Sequence, residues 1–398
     1  SHAAAYAVVG YATAWLKYYY PVEFMAALMN SVQNKQDKIS RYINHCRNVL
    51  GIDVIPPDIN ISTDRFIATK DGQITFSLNV KNMSVTGLRS IMEQRAIEPF
   101  SSFEEFILRN FDNIGKQDIN ALACVGAFHS IGVTSSQIVA GAADIADRIS
   151  KTKQARKRAE ISNRAFDVQG WLNLYNYIPA GLKEFPNKVK LALEKEYLGL
   201  YLTGNPIYDY LYYSEQYSNF KLSSMDYEID EDTGAIIMST PLPSRKSVRF
   251  VGMFSDIKLT FTRKAKAKMA ITEVEDLTGR AKMMIWPDTY AVYEDMLFDD
   301  KVYDFSGYIK VDSEEPPIIV MESLTILEIP KIKKLVIKEN DKSRLMKIVG
   351  DIRYNRLWRG DCPVYIKSGH IRMLLDHTCW VNLDRINLTG INYEIIEQ

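Results

Sequence analysis

The residues best placed to do chemistry are cations spaced for a polyanion. Lys258, Arg263, Lys264, Lys266 and Lys268 crowd a short stretch that no acid interrupts. Phe250, Phe254, Phe261 and Trp286 flank it. Rings beside lysines suit a single-stranded nucleic acid, with phosphates on the cations and bases stacked on the rings. The same rings also suit the interior of a small barrel, so core packing stands as the alternative for each. A second basic run, 148–166, holds seven basic residues and one acid, among them Lys151, Lys153, Arg156, Lys157 and Arg158. It reads either as a solvated helix face or as a non-specific phosphate contact that weakens steeply with salt.

Nothing in the chain composes a catalytic centre. Two-metal phosphoryl transfer needs carboxylates clustered on strands beside nucleotide-binding cations. The densest acidic stretch, 226–232, with five acids and no base, lies instead in a turn-like segment before Gly234. No phosphate-cradling glycine loop, nucleophile elbow or zinc-protease helix is present. Cys362, His370, His377 and Cys379 fall within eighteen residues, but their spacing fits no standard zinc pattern, and no metal is expected.

The basic stretch must be carried by strands. Residues 250–262, 269–277 and 280–286 are rich in β-branched and aromatic residues, with a basic reversal at 263–268 and a turn at Thr278-Gly279. Pro287 opens a helix that runs over 289–297, and strands follow at 302–311 and 318–327. Three strands, a helix and two strands is the order of the five-stranded OB-fold barrel, which binds oligonucleotides or oligosaccharides.

Upstream the pattern is helical. Helices are expected over 1–17, 22–29 and 37–50, then a proline-bearing connector at 51–60 and a hairpin over 66–78 around Asp71-Gly72. Helices also begin after short turns near Ser84 and Ser135, the second turn bracketed by Gly126 and Gly132. A helix that starts at a tight turn points free amides outward, which can hold phosphate without reading bases; ordinary helical hairpins are the alternative. The tail, 331–398, reads as a small α/β piece with a helix over 342–348 and strands at 363–367 and 371–375.

A chain of 398 residues suggests two to four domains, and a formal net charge of zero excludes a uniformly basic surface. Four scattered cysteines, at 46, 124, 362 and 379, make no disulfide framework and favour a reducing cytoplasm. No apolar run is long enough to span a bilayer, so no membrane partner is expected. The chain has no initiator Met and opens inside a helical pattern, as a fragment would.

Longer motifs carry a resemblance. Ser-His-Ala-Ala-Ala-Tyr-Ala at 1–7, Tyr-Pro-Val-Glu-Phe-Met-Ala-Ala-Leu at 20–28, Pro-Pro-Asp-Ile-Asn at 56–60 and Glu-Tyr-Leu-Gly-Leu-Tyr-Leu-Thr-Gly-Asn-Pro at 196–206 resemble the bacterial replicative DNA polymerase III alpha subunits. The matches run in family order along the whole chain and correspond to the last third or so of a family member. The resemblance implies a multidomain α+β chain: an all-α fingers and helix-hairpin-helix region, an OB-fold barrel and a small α/β C-terminal domain. The implied divisions are 1–78, the end of the fingers; 79–166, tandem helix-hairpin-helix elements; 167–247, a clamp-binding peptide and linker helices; 248–329, the OB domain; and 330–398, the C-terminal domain.

The same resemblance implies partners and sites. Duplex primer-template DNA would meet Lys81, Ser84, Gly126, Gly132 and the cations of 151–158, and single-stranded template would meet Phe254, Lys258, Arg263, Lys264, Lys266 and Lys268. The first hairpin has Asn82-Met83-Ser84 where the family has Gly-hydrophobic-Gly. Ser1 and His2 would border the incoming nucleotide. Gln169, Leu172 and Leu174 resemble the longer form of the sliding-clamp peptide, with leucines filling an apolar pocket and the glutamine amide anchoring it. The family's tail sometimes contacts a clamp-loader subunit, which makes that a further partner of the family, but this tail is reduced and no site for it is assigned. No cofactor is implied for this stretch, Mg2+ belonging to the palm domain that precedes it in the family. The implied function is to hold DNA and tether it to the clamp for processive synthesis. A free-standing OB-fold protein binding single-stranded DNA or RNA is the alternative, and a protein scaffold that binds no nucleic acid is a third reading.

Overall fold

Prolines and polar caps place most of the helix starts. The computed structural model describes every residue except Ser1, Asn34, 174–177, 230–235, 300, 313–314, 370 and 398. It divides into two units, Ser1–Thr203 and Gly204–Gln398.

The first unit opens with α1 (His2–Tyr19), α2 (Pro21–Ser31) and α3 (Gln36–His45), which runs on as a π-helical turn, Cys46–Leu50. Pro21 sits in the first turn of α2, where its missing N–H costs nothing. A small sheet follows, of β1 (Val54–Ile55), β2 (Ile67–Ala68) and β3 (Ile74–Thr75). β2 and β3 pair antiparallel across the expected Gly72 turn, and β1 joins β3 in parallel. Four helices come next: α4 (Val85–Ile97), α5 (Phe103–Asn110), α6 (Lys116–Cys124) and the 27-residue α7 (Ser135–Ile161). Their shared core is aromatic. Phe103, Phe106 and Phe128 are fully buried, with Phe128 meeting the other two rings edge-on at 5.1 Å, a geometry that adds about 0.5–1.5 kcal/mol per pair to the area they bury. The single turn α8 (Val168–Leu172) and α9 (Asn187–Leu198) complete the unit. Beyond α9 the buried Glu194 accepts the amides of Leu202 and Thr203, both at 2.8 Å, which fixes the Leu-Tyr-Leu-Thr motif against the helix.

The second unit begins with α10 (Leu211–Tyr217) and a two-stranded ladder, β4 (Tyr227–Ile229) with β5 (Ile236–Met238). The barrel strands are β6 (Ser247–Phe261), β7 (Lys268–Glu275), β8 (Arg280–Ile285), β9 (Val302–Lys310) and β10 (Ile318–Ile326), with α11 (Pro287–Tyr293) between β8 and β9. They close in the order β6–β7–β8–β10–β9, β10 running parallel to β8 and β9 returning to β6. This is the OB-fold topology expected from the residue pattern, with strand limits within three residues of those read from the sequence. The core holds Phe250, Phe254, Tyr303 and Phe305.

In the tail, β11 (Lys333–Lys338), β13 (Val364–Ser368), β14 (Ile371–Leu374) and β15 (Tyr393–Glu397) form a sheet in the order β14–β13–β11–β15, and a short β12 (Arg359–Cys362) lies outside it. Across one face runs α12 (Lys342–Tyr354), placing Ile348 and Ile352 on Leu335, Ile337, Val364 and Ile366. Neither β11 nor β15 is legible as a strand in the sequence, and α12 runs past its expected end. Among the described residues no group of His, Cys, Asp and Glu is placed to hold a metal, and no helix is long and apolar enough to cross a membrane. Of the four residues that invited a zinc reading, His370 lies outside the described residues, Cys379 is buried and all four cysteines are free.

Candidate nucleic-acid interface

The first hairpin enters α4 through Asn82, whose φ of 69° is left-handed. Asparagine tolerates that conformation better than most residues, so the turn survives the loss of the expected glycine. Ser84 caps the helix, its hydroxyl accepting Gly87 N–H at 3.0 Å. Gly87 has to be small, because a Cβ there would come within 2.8 Å of the Ser84 hydroxyl. The Ser84 N–H, expected to meet phosphate, is already engaged: it donates to Asp118 Oδ1 at 2.7 Å. The other Asp118 oxygen accepts Gly115 N–H at 2.8 Å, so one buried carboxylate ties the starts of α4 and α6 together. The expectation for Ser84 is corrected accordingly. The amides open to solvent at this turn are those of Val85 and Thr86, both exposed, beside the exposed Lys81.

The second hairpin has local reasons for its glycines. Gly126 (φ 77°) ends α6 in a Schellman motif, Ala127 N–H reaching Leu122 O at 2.9 Å and Gly126 N–H reaching Ala123 O at 3.0 Å. A Cβ at Gly126 would also strike the His129 ring at 2.8 Å. Gly132 (φ 78°) leaves the short 3-10 turn His129–Ile131. α7 then starts with a reciprocal cap: Thr134 N–H donates to Gln137 Oε1 at 3.0 Å and Gln137 N–H to Thr134 Oγ1 at 3.4 Å. The amides of Ser135 and Ser136 donate to the Glu184 carboxylate at 3.0 and 3.2 Å, and His129 Nε2 meets the same group at 2.9 Å. Burial alone would raise the Glu184 carboxyl, but the amides of Phe185, Ser135 and Ser136 and the His129 ring outweigh it and hold the group below its usual range. Nothing in the sequence marked Glu184 or Asp118, because each acts on residues more than thirty positions away.

Along α7 the basic residues divide. Lys151 pairs with Asp147 at 2.6 Å, Lys153 Nζ donates to the Asp112 carbonyl at 3.3 Å, and Arg156 grips the Asp112 carboxylate through two bonds of 2.7 and 2.8 Å. Arg156 therefore also serves the packing of α7. Lys157 and Arg158 are exposed.

The peptide expected to be free is docked. Asp167 caps α8 by accepting Gly170 N–H at 3.0 Å, Leu172 is only 4% exposed, and Arg148 Nε donates to its carbonyl at 3.2 Å. Leu172 is thus part of the unit's core, which corrects the expectation that it stands ready for a partner. Gln169 is exposed, and Leu174 lies outside the described residues. So does Ser1, while His2 is the first residue of α1.

On the barrel, Phe254 is 1% exposed and packs on Tyr303 and Phe305, so it offers no face to a base and that expectation is corrected. Phe250 is buried with it. Phe261 and Trp286, at 62% and 41%, are the exposed rings of the four. A bulge between Phe254 and Asp256 shifts the alternation of β6 and turns Lys258 outward. Lys258, Ile271 and Met284 then lie side by side across β6, β7 and β8, with Lys282 and Trp286 on the same outward side of β8. Lys258 pairs with Asp256 at 2.7 Å, and Lys268 lies 5.2 Å over the Tyr290 ring and 3.2 Å from Glu294, so neither is a bare cation. Arg263, Lys264 and Lys266 stand exposed in the turn.

With this geometry stand the comparisons. Residues 51–138 match the helix-hairpin-helix motif family. The chain is 30% identical over 324 residues to the DNA polymerase III subunit alpha of Mycobacterium tuberculosis, covering 80% of this chain and 26% of that protein. The Borreliella burgdorferi subunit is 29% identical over 340 residues, covering 84% and 28%, and that of Vibrio cholerae is 28% identical over 318 residues, covering 78% and 26%. This chain is related to the DNA polymerase III alpha subunits. It spans about a quarter of the length of these relatives. A replication protein A heterotrimer bound to single-stranded DNA matches 32% of this chain and 84% of its own at 15% identity, and its TM-score of 0.19 carries no argument.

Proposed function

We propose that this chain is the DNA-holding and clamp-tethering portion of a bacterial DNA polymerase III alpha subunit, corresponding to its C-terminal part. What carries the reading is the similarity over some four-fifths of the chain, joined to a helix-hairpin-helix stretch and a five-stranded barrel in one polypeptide. In this reading the five divisions drawn from the sequence are functional parts. The first hairpin meets duplex phosphates through Lys81 and the amides of Val85 and Thr86, and Lys157 and Arg158 add non-specific attraction. The barrel meets single-stranded template with Arg263, Lys264 and Lys266 on phosphates and with Trp286 or Phe261 under bases. The segment bearing the exposed Gln169 joins the sliding clamp. Tethering raises effective concentration, so contacts that are weak one at a time suffice for processive synthesis.

The chemistry of nucleotide transfer belongs to the palm domain of such subunits, with its Mg2+. Primer extension by this chain alone is expected to fail. The cytoplasm is the proposed location, in keeping with four free cysteines. Fluorescence anisotropy with labelled primer-template, single-stranded DNA and RNA tests the reading. Binding of primer-template and single-stranded DNA supports it, a preference for RNA favours the free-standing OB protein, and no binding at low salt removes it.

A further inference from the structure

We propose that Glu184 is an internal competitor of duplex DNA at the second hairpin, and that the segment around it is a strap that duplex phosphate displaces. The inference rests on the reading that this chain holds duplex, extended here from the first hairpin to the second. The reciprocal cap of Thr134 and Gln137 satisfies the amides of those two residues and leaves those of Ser135 and Ser136, at the start of α7, to an anion. The Glu184 carboxylate presents two oxygens to an anion-binding set, as a phosphate would. Oε2 takes Ser135 N–H at 3.0 Å and His129 Nε2 at 2.9 Å, and Oε1 takes Ser136 N–H at 3.2 Å and its neighbour Phe185 N–H at 2.7 Å.

The rest of the strap is held to the same first turn. Ser136 Oγ donates to the Lys183 carbonyl at 2.8 Å and Gln137 Nε2 to the Pro179 carbonyl at 3.0 Å. These two bonds are of the neutral kind, worth about a third to a half of a charge-assisted one. Glu184 is therefore the anchor. An anion arriving at Ser135 and Ser136 takes the donors that hold it, and the neutral bonds alone hold the strap weakly. Duplex binding and strap docking thus exclude one another at this hairpin, and the strap lowers duplex affinity by the fraction of time it is docked.

The test uses the full chain. Glu184→Gln removes the charge and keeps the side-chain volume, while Asp144→Asn, an exposed change on α7, controls for net charge. Primer-template duplex is expected to bind Glu184→Gln roughly three- to tenfold tighter than wild type in anisotropy at low salt, with single-stranded affinity and the Asp144→Asn control within about twofold. In the wild-type chain, duplex but not single-stranded DNA is expected to speed tryptic cleavage after Lys183. This second measurement needs no variant to fold. Equal or weaker duplex binding by Glu184→Gln, together with cleavage that duplex leaves unchanged or slows, overturns the strap while the hairpin reading stands. If neither protein holds duplex at all, both fall.

Discussion

Asp118→Ala should damage both the stability of the first unit and its hold on duplex. The Asp118 carboxylate is 5% exposed and accepts two amides, Ser84 N–H at 2.7 Å and Gly115 N–H at 2.8 Å. Each is a charge-assisted bond of about 1.5–3 kcal/mol, and Ser84 N–H would be left half-buried without an acceptor. Gly115 is exposed and can turn to water, so the total should be about 2–4 kcal/mol rather than the full sum. For a unit of this size that lowers the thermal midpoint by roughly 5–15 °C. Circular dichroism melts of wild type, Asp118→Ala and Asp118→Asn would measure it. Asparagine should not rescue, because its NH2 group faces a donor. Since the Val85 and Thr86 amides follow Ser84, the variant should also lose duplex affinity at temperatures where it is folded, with single-stranded binding unchanged. A midpoint within 2 °C of wild type (less than about 1 kcal/mol) would refute the claim that this carboxylate joins two helix starts.

Four further outcomes are expected. Phe254→Ala should cost about 3–5 kcal/mol in urea unfolding, whereas Trp286→Ala should leave the midpoint nearly unchanged and weaken single-stranded DNA by about 1–3 kcal/mol in anisotropy. Gln169→Ala should lower capture of the chain by the cognate clamp in a pull-down without changing its melting, while Leu172→Ala should lower both. Replacing Lys157 and Arg158 by Ala should reduce the slope of log affinity against log salt by about one per cation, for duplexes of any sequence. The depressed Glu184 carboxyl contributes stability that is fully present above its unfolded value of about 4.3 and is lost as pH falls through its lower folded value. The gap in thermal midpoint between wild type and Glu184→Gln should therefore be present above about pH 5 and close on further acidification.

The barrel was legible because each strand alternates over a few residues and its turns carry their own chemistry. What escaped were events that alternation cannot encode. Without the bulge after Phe254, Lys258 would point into the core; with it, Phe254 stays inside and the basic side chain turns out. The rings of the candidate site were visible as a set, but only closure of the barrel separates Phe254 from Trp286. Leu172 looked like an anchor for another protein and fills this chain's own interior, since an apolar residue reads the same either way. β15 was invisible because its partner β11 lies some sixty residues upstream. Asp118 and Glu184 belong to the same class, being acids whose meaning depends on amides far away in sequence.

The length of α7 has a metric consequence. From Ser135 to Lys157 the helix advances 22 residues, about 33 Å at 1.5 Å per residue, and the two positions fall on nearly the same side of the cylinder. B-form DNA repeats about every 34 Å. A double helix laid alongside α7 would present equivalent backbone positions to its leading turn and to its cationic end at once, so hydroxyl-radical footprints on long duplexes should show two protected patches one helical period apart.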